Sequence, residues 1–303
     1  MDLGVSLPTS GPLASPAAIL RVAQEAEQLG YRGLWTYERL LYALGDIPQP
    51  GGPPRPLPDA YRQTYEPIET LAFVAGHTSS AILGTSVLDA PFHNPVQLGK
   101  RLATLDQLSG GRVVAGFGHG WMDQEFATVG ATKEHLVSRT TEFFAALRGV
   151  WGPDPVHFEG RFFTIPESNI NPKPARAGGI PIVMGVFAPA ALERAGRTAD
   201  GLNPIGASPE LLRGLVGQFR AAATAAGRDP AALPVYVRVN AQLTDAPVAD
   251  GRQFLGGSPE QIAGDLAGIE DLGVTQVLFS DMHSADLDGH LARLARLQKA
   301  VGR

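Results

Sequence analysis

The sequence predicts a single α/β domain folded as a (β/α)₈ TIM barrel, and two regularities along its 303 residues predict it. Eight short apolar runs, suited to strands buried on both faces of a parallel sheet, alternate with stretches of helical period. Prolines punctuate the helix starts: Ser15-Pro16, Asn94-Pro95, Ser208-Pro209 and Ser258-Pro259 each place a capping side chain directly before a proline at the first helical position. The chain slightly exceeds the roughly 250 residues usual for such a barrel. No repeat or low-complexity linker divides it, so residues 1–303 are read as one domain.

The strands are expected at Leu3–Leu7, Gly33–Tyr37, Ile82–Val87, Val113–Phe117, Ile180–Gly185, Gly201–Pro204, Val235–Asn240 and Gln276–Ser280. Between them run apolar stripes of helical spacing. They are Ile19, Val22, Ala23, Ala26 and Leu29, then Leu98, Leu102, Leu105 and Leu108, then Leu211, Leu215, Phe219 and Ala222. Ile262, Leu266, Ile269 and Leu272 continue the series, and Leu287, Leu291, Leu294 and Val301 close it. Ser258-Pro259-Glu260-Gln261 also fits a capping box, while Glu66-Pro67 and Ala188-Pro189 carry the proline without a strong cap. Glycines at Gly30, Gly110-Gly111, Gly227 and Gly273 mark helix exits.

Two insertions interrupt the alternation, one after the second strand and one before the fifth. Leu40 to Glu66 is too rich in proline for a helix. Val156 to Gly179 reads as a hairpin, VHFEG–RFFTI, followed by the proline-broken stretch NPKPARAGG. Loops of this length in a compact domain usually serve as lids or binding loops, and both are expected near the upper rim.

Composition narrows the function. A hydrophobic content of 44% with 18% charged residues describes a well-cored globule. A formal charge of −5 without a basic run argues against nucleic acid. No run of about 18 apolar residues suggests a membrane span, and MDLGVSLPTS lacks signal-peptide character, so a cytoplasmic location is expected. Zero cysteines exclude disulfides and thiolate chemistry. No His/Asp/Glu spacing matches a metal motif, so no metal is expected.

The stretch Arg112–Phe126, RVVAGFGHGWMDQEF, carries the clearest chemical signal. An apolar run empties into Gly116, Gly118 and Gly120, which let backbone approach a flat or phosphorylated ligand. The dinucleotide fingerprint G-x-G-x-x-G fails, because Trp121 stands where the third glycine belongs. In a barrel of this kind chemistry gathers at the C-terminal ends of the strands. The polar residues there are Tyr37, Glu38 and Arg39, then Ser86, Asp89 and His93, then His119 and Glu125, then Arg238 and Asn240, and finally Asp281 and His283. Glu38 is either a proton donor with a raised pKa or the partner of Arg39 or a neighbouring loop. His93 and His119 are candidate site residues, each with a solvated rim position as the alternative. Trp121 lines the pocket or packs beneath its loop, and Glu125 reads chiefly as a carboxylate that orients or caps a helix.

Taken together, GLWTYERLL (33–41), YEPIETLAFVAGHTSSAILGTSVL (65–88), HNPVQLGKRLATLDQLSGGRVVAGFGHGW (93–121) and ALERAGRTADGL (191–202) resemble the luciferase-like monooxygenase superfamily. The resemblance is to its branch using the deazaflavin coenzyme F-420, and it covers nearly the whole chain. It implies a tricyclic ring lying across the C-terminal face of the barrel. It also implies a non-proline cis peptide at Ser86-Val87 behind the ring, with Tyr37, Gly116, Gly118, Gly120, Trp121 and Gly185 around the cofactor. Loops after the fourth and fifth strands are implied to take the phosphate. Two departures stand out. Relatives often end the fifth strand with a glycine pair where this chain has Gly185-Val186, and deazaflavin enzymes often have Asp-His where it has Glu38-Arg39.

The resemblance implies hydride transfer between coenzyme F-420 and an organic substrate; the acid/base assignment of relatives does not carry over to Glu38-Arg39, and Glu38, His93 and His119 are candidate catalytic residues by their place at the strand ends. An FMN-dependent monooxygenase is the alternative, and a catalytically silent barrel serving as a partner subunit is a third. Homodimerisation is also implied by the resemblance.

Overall fold

The computed structural model describes residues 1–49 and 51–302; Pro50, within the first insertion, and Arg303 lie outside the described residues. Eight parallel strands form the framework: β1 (Asp2–Ser6), β2 (Gly33–Thr36), β3 (Ile82–Thr85), β4 (Val113–Gly118), β5 (Ile182–Met184), β6 (Gly201–Leu202), β7 (Tyr236–Val239) and β8 (Gln276–Phe279). The ladder runs β6-β5-β4-β3-β2-β1-β8-β7. Parallel bridges Leu202–Val235 and Ile205–Arg238 then bring its two ends together. The expected (β/α)₈ barrel is therefore the observed one, with each anticipated strand in place.

Around it lie α1 (Pro16–Gln28), α2 (Pro67–Ala75), α3 (Pro95–Ser109), α4 (Leu136–Trp151), α5 (Pro189–Thr198), α6 (Pro209–Ala225), α7 (Pro259–Ala267) and α8 (Leu287–Ala300). All four predicted caps form: Ser15 accepts from the Ala18 N–H, Asn94 from Val96 and Gln97, and Ser208 from Leu211, and Ser258 closes a capping box with Gln261. The apolar stripes differ from expectation at two residues. Leu108 and Leu211 are exposed, because α3 turns Leu98, Leu102, Leu105 and Ser109 inward and α6 turns Leu212, Leu215, Val216 and Phe219. The other expected residues stay inward, and at those two positions the next residue along, Ser109 and Leu212, is buried instead.

The hollow of the barrel has its own small core, apart from the larger one between sheet and helices. It comprises Trp35 from β2, Val114 from β4, Val183 from β5, Tyr236 from β7 and Leu278 from β8. The ring of Trp35 lies 5.1 Å from that of Tyr236, and its Nε1 donates to Gln276 Oε1 at 2.6 Å. Glycines on the next strand and on β2 itself make room for the indole. A Cβ on Gly84 would stand 2.2 Å from the ring of Trp35, and one on Gly33 2.5 Å from it. Side chains alternate across a strand, so the next residues facing inward are Tyr37 above Trp35 and Arg238 above Tyr236. The Arg238 guanidinium indeed lies 4.6 Å from the Tyr37 ring centre.

The first insertion stands at the mouth. Ile47–Gln49 pairs antiparallel with Gly52–Arg55, and Ile47 and Leu57 pack with Met122 from the loop after β4. The second insertion meets the expectation of a rim loop only at its tip, where Arg161 and Phe162 reach His135 at the start of α4. It leaves from the lower end of α4 as the anticipated hairpin, Val156–Glu159 with Thr164–Ser168. The hairpin lies along the outer side of α4, where the Glu142 carboxylate accepts the N–H groups of Arg161, Phe162 and Phe163. Residues 175 and 176 then donate to Asp106, which also receives the Val113 N–H at the start of β4. This return path runs beneath the barrel because a loop joining a helix to the next strand ends where strands begin.

Replacing Trp35 by alanine empties the interior core, and the expected loss is about 3–5 kcal/mol of unfolding free energy. Urea denaturation of the purified variant measures it; a loss below about 1 kcal/mol would show that the barrel collapses around the missing indole.

Candidate functional site

The mouth begins as a polar floor above Trp35. Ser86 Oγ donates to Asn203 Oδ1 at 2.7 Å, and Asn203 Nδ2 donates to the Tyr236 carbonyl at 2.5 Å. Arg238 donates to the Ser86 carbonyl and, through Nε, to Asn240 Oδ1 at 2.8 Å. The Tyr37 hydroxyl bonds to Ser10 and donates to the Met282 sulfur. Burial pushes the Tyr37 phenol up to about 12 and pulls Arg238 below the usual guanidinium value. Among the described residues Arg238 contacts no carboxylate; its partners are neutral oxygens and an aromatic face. The Ser86–Val87 peptide is cis, as the family resemblance implied.

Beside the floor lies a buried acid cluster. Glu38 accepts the Asp89 N–H at 2.7 Å, and His93 Nε2 lies 2.9 Å from Glu38 Oε1. Asp89 accepts the Gly120 N–H at 2.9 Å. Arg39 does not pair with Glu38: its guanidinium bonds Glu125 at 2.7 Å, and Glu125 also accepts the Leu40 N–H at 2.9 Å. The Arg39 guanidinium lies 5.1 Å from the Tyr61 ring and 5.4 Å from that of Trp121. Its Nε is buried without a hydrogen-bond partner. Burial, reinforced by the nearby charges of Glu38 and Glu125, pushes the Asp89 carboxyl up to about 7. Two neighbouring carboxyls cannot both ionise cheaply in a dry site, so this cluster holds a proton near neutrality.

The structure thus brings Glu38 and His93 into contact. It places His119 elsewhere, facing a cavity between α4 and α5 rather than the acid cluster. The glycines expected to let a ligand approach admit the chain itself. A Cβ on Gly116 would stand 2.0 Å from the Thr85 carbonyl, and one on Gly118 would meet Val87 and Asp89. Gly185 likewise lies against Val87, and Val186, where relatives often have a second glycine, is buried in the outer core. Gly120 adopts φ +69°, with Phe92 and Phe126 closing on the space a side chain would need. Trp121 packs between Arg39 and the first insertion. Asp281 turns back on its own loop, accepting from His283 and Ser284, and His283 is exposed.

Sequence reasoning placed Asp89, Arg238 and Asn240 on the rim without giving them roles, and it missed Asn203 and Tyr61. Asn203 had a signal: it is the polar residue of the short strand segment GLNPI. Tyr61 had none, because it reaches Arg39 from inside a proline-rich insertion. Among the described residues no cluster of His, Asp or Glu is arranged to hold a metal ion, and no helix is long and apolar enough to cross a membrane.

A family model described as luciferase-like monooxygenase matches residues 1–249. An F420-dependent hydroxymycolic acid dehydrogenase of Mycobacterium tuberculosis is 30% identical, over 79% of this chain and 64% of that one. An FMNH(2)-dependent dimethylsulfone monooxygenase of Pseudomonas putida is 32% identical, over 47% of this chain and 40% of that one. Among solved structures, monooxygenase RslO1 from Streptomyces bottropensis superposes with a TM-score of 0.82 at 21% identity, covering 99% of this chain and 98% of that one.

The raised carboxyl of Asp89 has a consequence for stability. Its folded pKa lies above its unfolded one, so the native state holds an extra proton between about 4 and about 7 and loses stability as pH rises through that window. Asp89→Asn keeps an oxygen for the Gly120 N–H and removes the titration. Urea midpoints of the two proteins at pH 5 and pH 8 are expected to shift in favour of the variant at the higher pH. A difference independent of pH would show that Asp89 is ionised throughout.

Proposed function

The chain belongs to the luciferase-like monooxygenase family, and from that premise we propose that it transfers hydride between the deazaflavin coenzyme F420 and an organic substrate. The family contains F420-dependent and FMN-dependent enzymes alike. The F420-dependent dehydrogenase aligns over a larger share of this chain than the FMN-dependent monooxygenase does.

The residues at the mouth fit a ring of this kind. A tricyclic deazaflavin or flavin presents carbonyls and ring nitrogens along one edge and needs donors against them. The buried Arg39 Nε without a partner and the Arg238 cation without a carboxylate supply such donors. Tyr37, Ser86 and Val87 make the floor on which a ring would rest, and Trp121 with the first insertion covers it from the side. When bound, the coenzyme supplies a carbon that gives or takes a hydride.

The observation that carries the reading is the Glu38–His93 contact with Asp89 beside it. Hydride transfer to a carbonyl or imine carbon leaves its heteroatom needing a proton, and the reverse reaction must remove one. A buried carboxylate–imidazole pair beside a carboxyl poised near pH 7 stores that proton and returns it. Glu38 fixes the imidazole by its Nε2, and the Asp89 N–H fixes Glu38. The chemistry also needs water kept out, and the small core of Ile47, Leu57 and Met122 holds the first insertion over the mouth.

Gel filtration of the protein after incubation with each cofactor, followed by absorbance spectroscopy, tests the assignment. F420 is expected to stay bound while FMN washes out. FMN retention with reduced-flavin-dependent oxygen uptake would transfer the chain to the monooxygenase reading, and retention of neither would leave a barrel without redox chemistry. In the F420-loaded protein, His93→Ala and Glu38→Gln are expected to lower turnover about 10²–10⁴-fold while leaving the cofactor dissociation constant nearly unchanged.

A further inference from the structure

A proton store beneath a cover has to exchange protons with bulk water by some route. The first insertion stands over the mouth, and the acid cluster beside the floor is buried. Exposure rises in steps along one line of groups leading away from it. The Glu38 side chain is 3% exposed, that of His93 13%, and Glu66 is exposed. Glu66 and His93 hold matching places on neighbouring helices. Glu66 directly precedes Pro67 at the start of α2, and His93 stands two residues before Pro95 at the start of α3. Arg101 and Glu69 join these two helices at 2.6 Å. The Pro67 carbonyl accepts from Thr36 Oγ1 at 3.3 Å, which ties the start of α2 to the end of β2, two residues before Glu38.

The two nitrogens of His93 have different surroundings. Nε2 lies 2.9 Å from Glu38 Oε1, and because a carboxylate only accepts, Nε2 carries the proton of that bond. Nδ1 has no hydrogen-bond partner among the described residues, yet it is not sealed from solvent. Partial desolvation, and then the charges of Glu38 and Glu69, hold the Glu66 carboxyl above its ordinary pKa, with Arg101 and His93 opposing. Glu66 therefore lies within electrostatic reach of both members of the buried pair.

Resting on the reading of Glu38, His93 and Asp89 as a proton store, we propose that Glu66 is its solvent-side relay, passing protons between bulk water and His93 Nδ1. Inward transfer balances as follows. Protonated Glu66 gives its proton to Nδ1 and is left ionised, while Nε2 gives its own proton to Glu38, which becomes neutral. The imidazole stays neutral in its other tautomer, a half-turn of the ring restores it, and water reprotonates Glu66. Outward transfer is the reverse. A carboxyl suits this place because it is a far better donor and acceptor than water near neutrality, and an exposed one trades its proton with solvent freely. Glu66 acts through His93 and touches neither coenzyme nor substrate, so it is a positioning residue.

Proton exchange at His93 in the unloaded protein tests the relay. With isotope-labelled histidine, NMR measures how fast the Nε2 proton exchanges with water, the signal being assigned by its absence in His93→Gln. Glu66→Gln is expected to slow this exchange severalfold in dilute buffer, and added imidazole, a small diffusible carrier, to restore it. Glu69→Gln removes the neighbouring acid on α2 and is expected to leave the exchange nearly unchanged. Unaltered exchange in Glu66→Gln, equal slowing in Glu69→Gln, or slowing that imidazole does not restore would each overturn the relay, the last by marking a purely structural role. Retention of neither F420 nor FMN would sink the coenzyme reading and leave this result standing, because the exchange is measured without either.

Discussion

Three buried carboxylates tie the loops at the mouth into a ring, and the shape of the site depends on that closure. Glu38, after β2, holds the N–H of Asp89, after β3. Asp89 holds the N–H of Gly120, after β4. Glu125, farther along that same loop, holds the N–H of Leu40, back after β2. Each carboxylate satisfies a backbone donor on a different loop, so no loop can shift without unpairing a buried group. The arrangement carries a charge cost, because three acids share one guanidinium, that of Arg39, with the His93 imidazole as a hydrogen-bond partner of Glu38. The raised Asp89 carboxyl is where that cost appears. Buried ion pairs seldom add net stability over well-packed apolar residues. Their use here is geometric, since they fix loop positions and leave a proton close to the floor.

That floor has a foundation of a different kind. Trp35 fills the hollow beneath it, and Gly33 and Gly84 exist in their positions because the indole takes the volume their side chains would need. One large residue on β2 thus replaces several medium ones distributed round the barrel. The filling also separates two environments. Below, Trp35 packs at a tilt against Tyr236 in a dry core; two residues along each chain, Tyr37 meets Arg238 in a polar layer. The change from apolar to polar over one period of two residues is what makes a ligand surface instead of a continued core.

Much of the architecture was legible because it rests on local rules. Caps at Ser15, Asn94, Ser208 and Ser258, and apolar runs of strand length, needed no tertiary information, and all appeared. Strand ends were legible too, which put Glu38, His93 and Ser86 on the rim. What stayed hidden depends on pairing across loops. Nothing in Glu38-Arg39 says that the neighbours ignore each other and take His93 and Glu125 instead. The alternating glycines at the end of β4 signalled close approach correctly, but the sequence does not show that Thr85, Val87 and Asp89 are what approaches. The second insertion reaches the rim only with its hairpin tip, because length marks a loop as unusual without positioning it. Its position follows from the connection it makes, helix to strand, and from Glu142 and Asp106 gathering its N–H groups along and beneath the barrel.

The first insertion joins these layers into one device. Its apolar residues Ile47 and Leu57 close on Met122, while its Tyr61 and the adjacent Trp121 enclose the Arg39 guanidinium. Covering the mouth and burying the Arg39–Glu125 pair are therefore the same event. Withdrawal of the insertion would expose both apolar surface and a charge pair, which water would then screen. The electrostatic setting of the acid cluster consequently depends on the insertion, whose last residue, Glu66, is itself held above its ordinary pKa by burial and by the charge of Glu38. A proline-rich stretch suits such a cover, because rigid backbone brings Tyr61 to Arg39 with little conformational entropy left to lose. What the insertion controls is the dielectric around Glu38, His93 and Asp89.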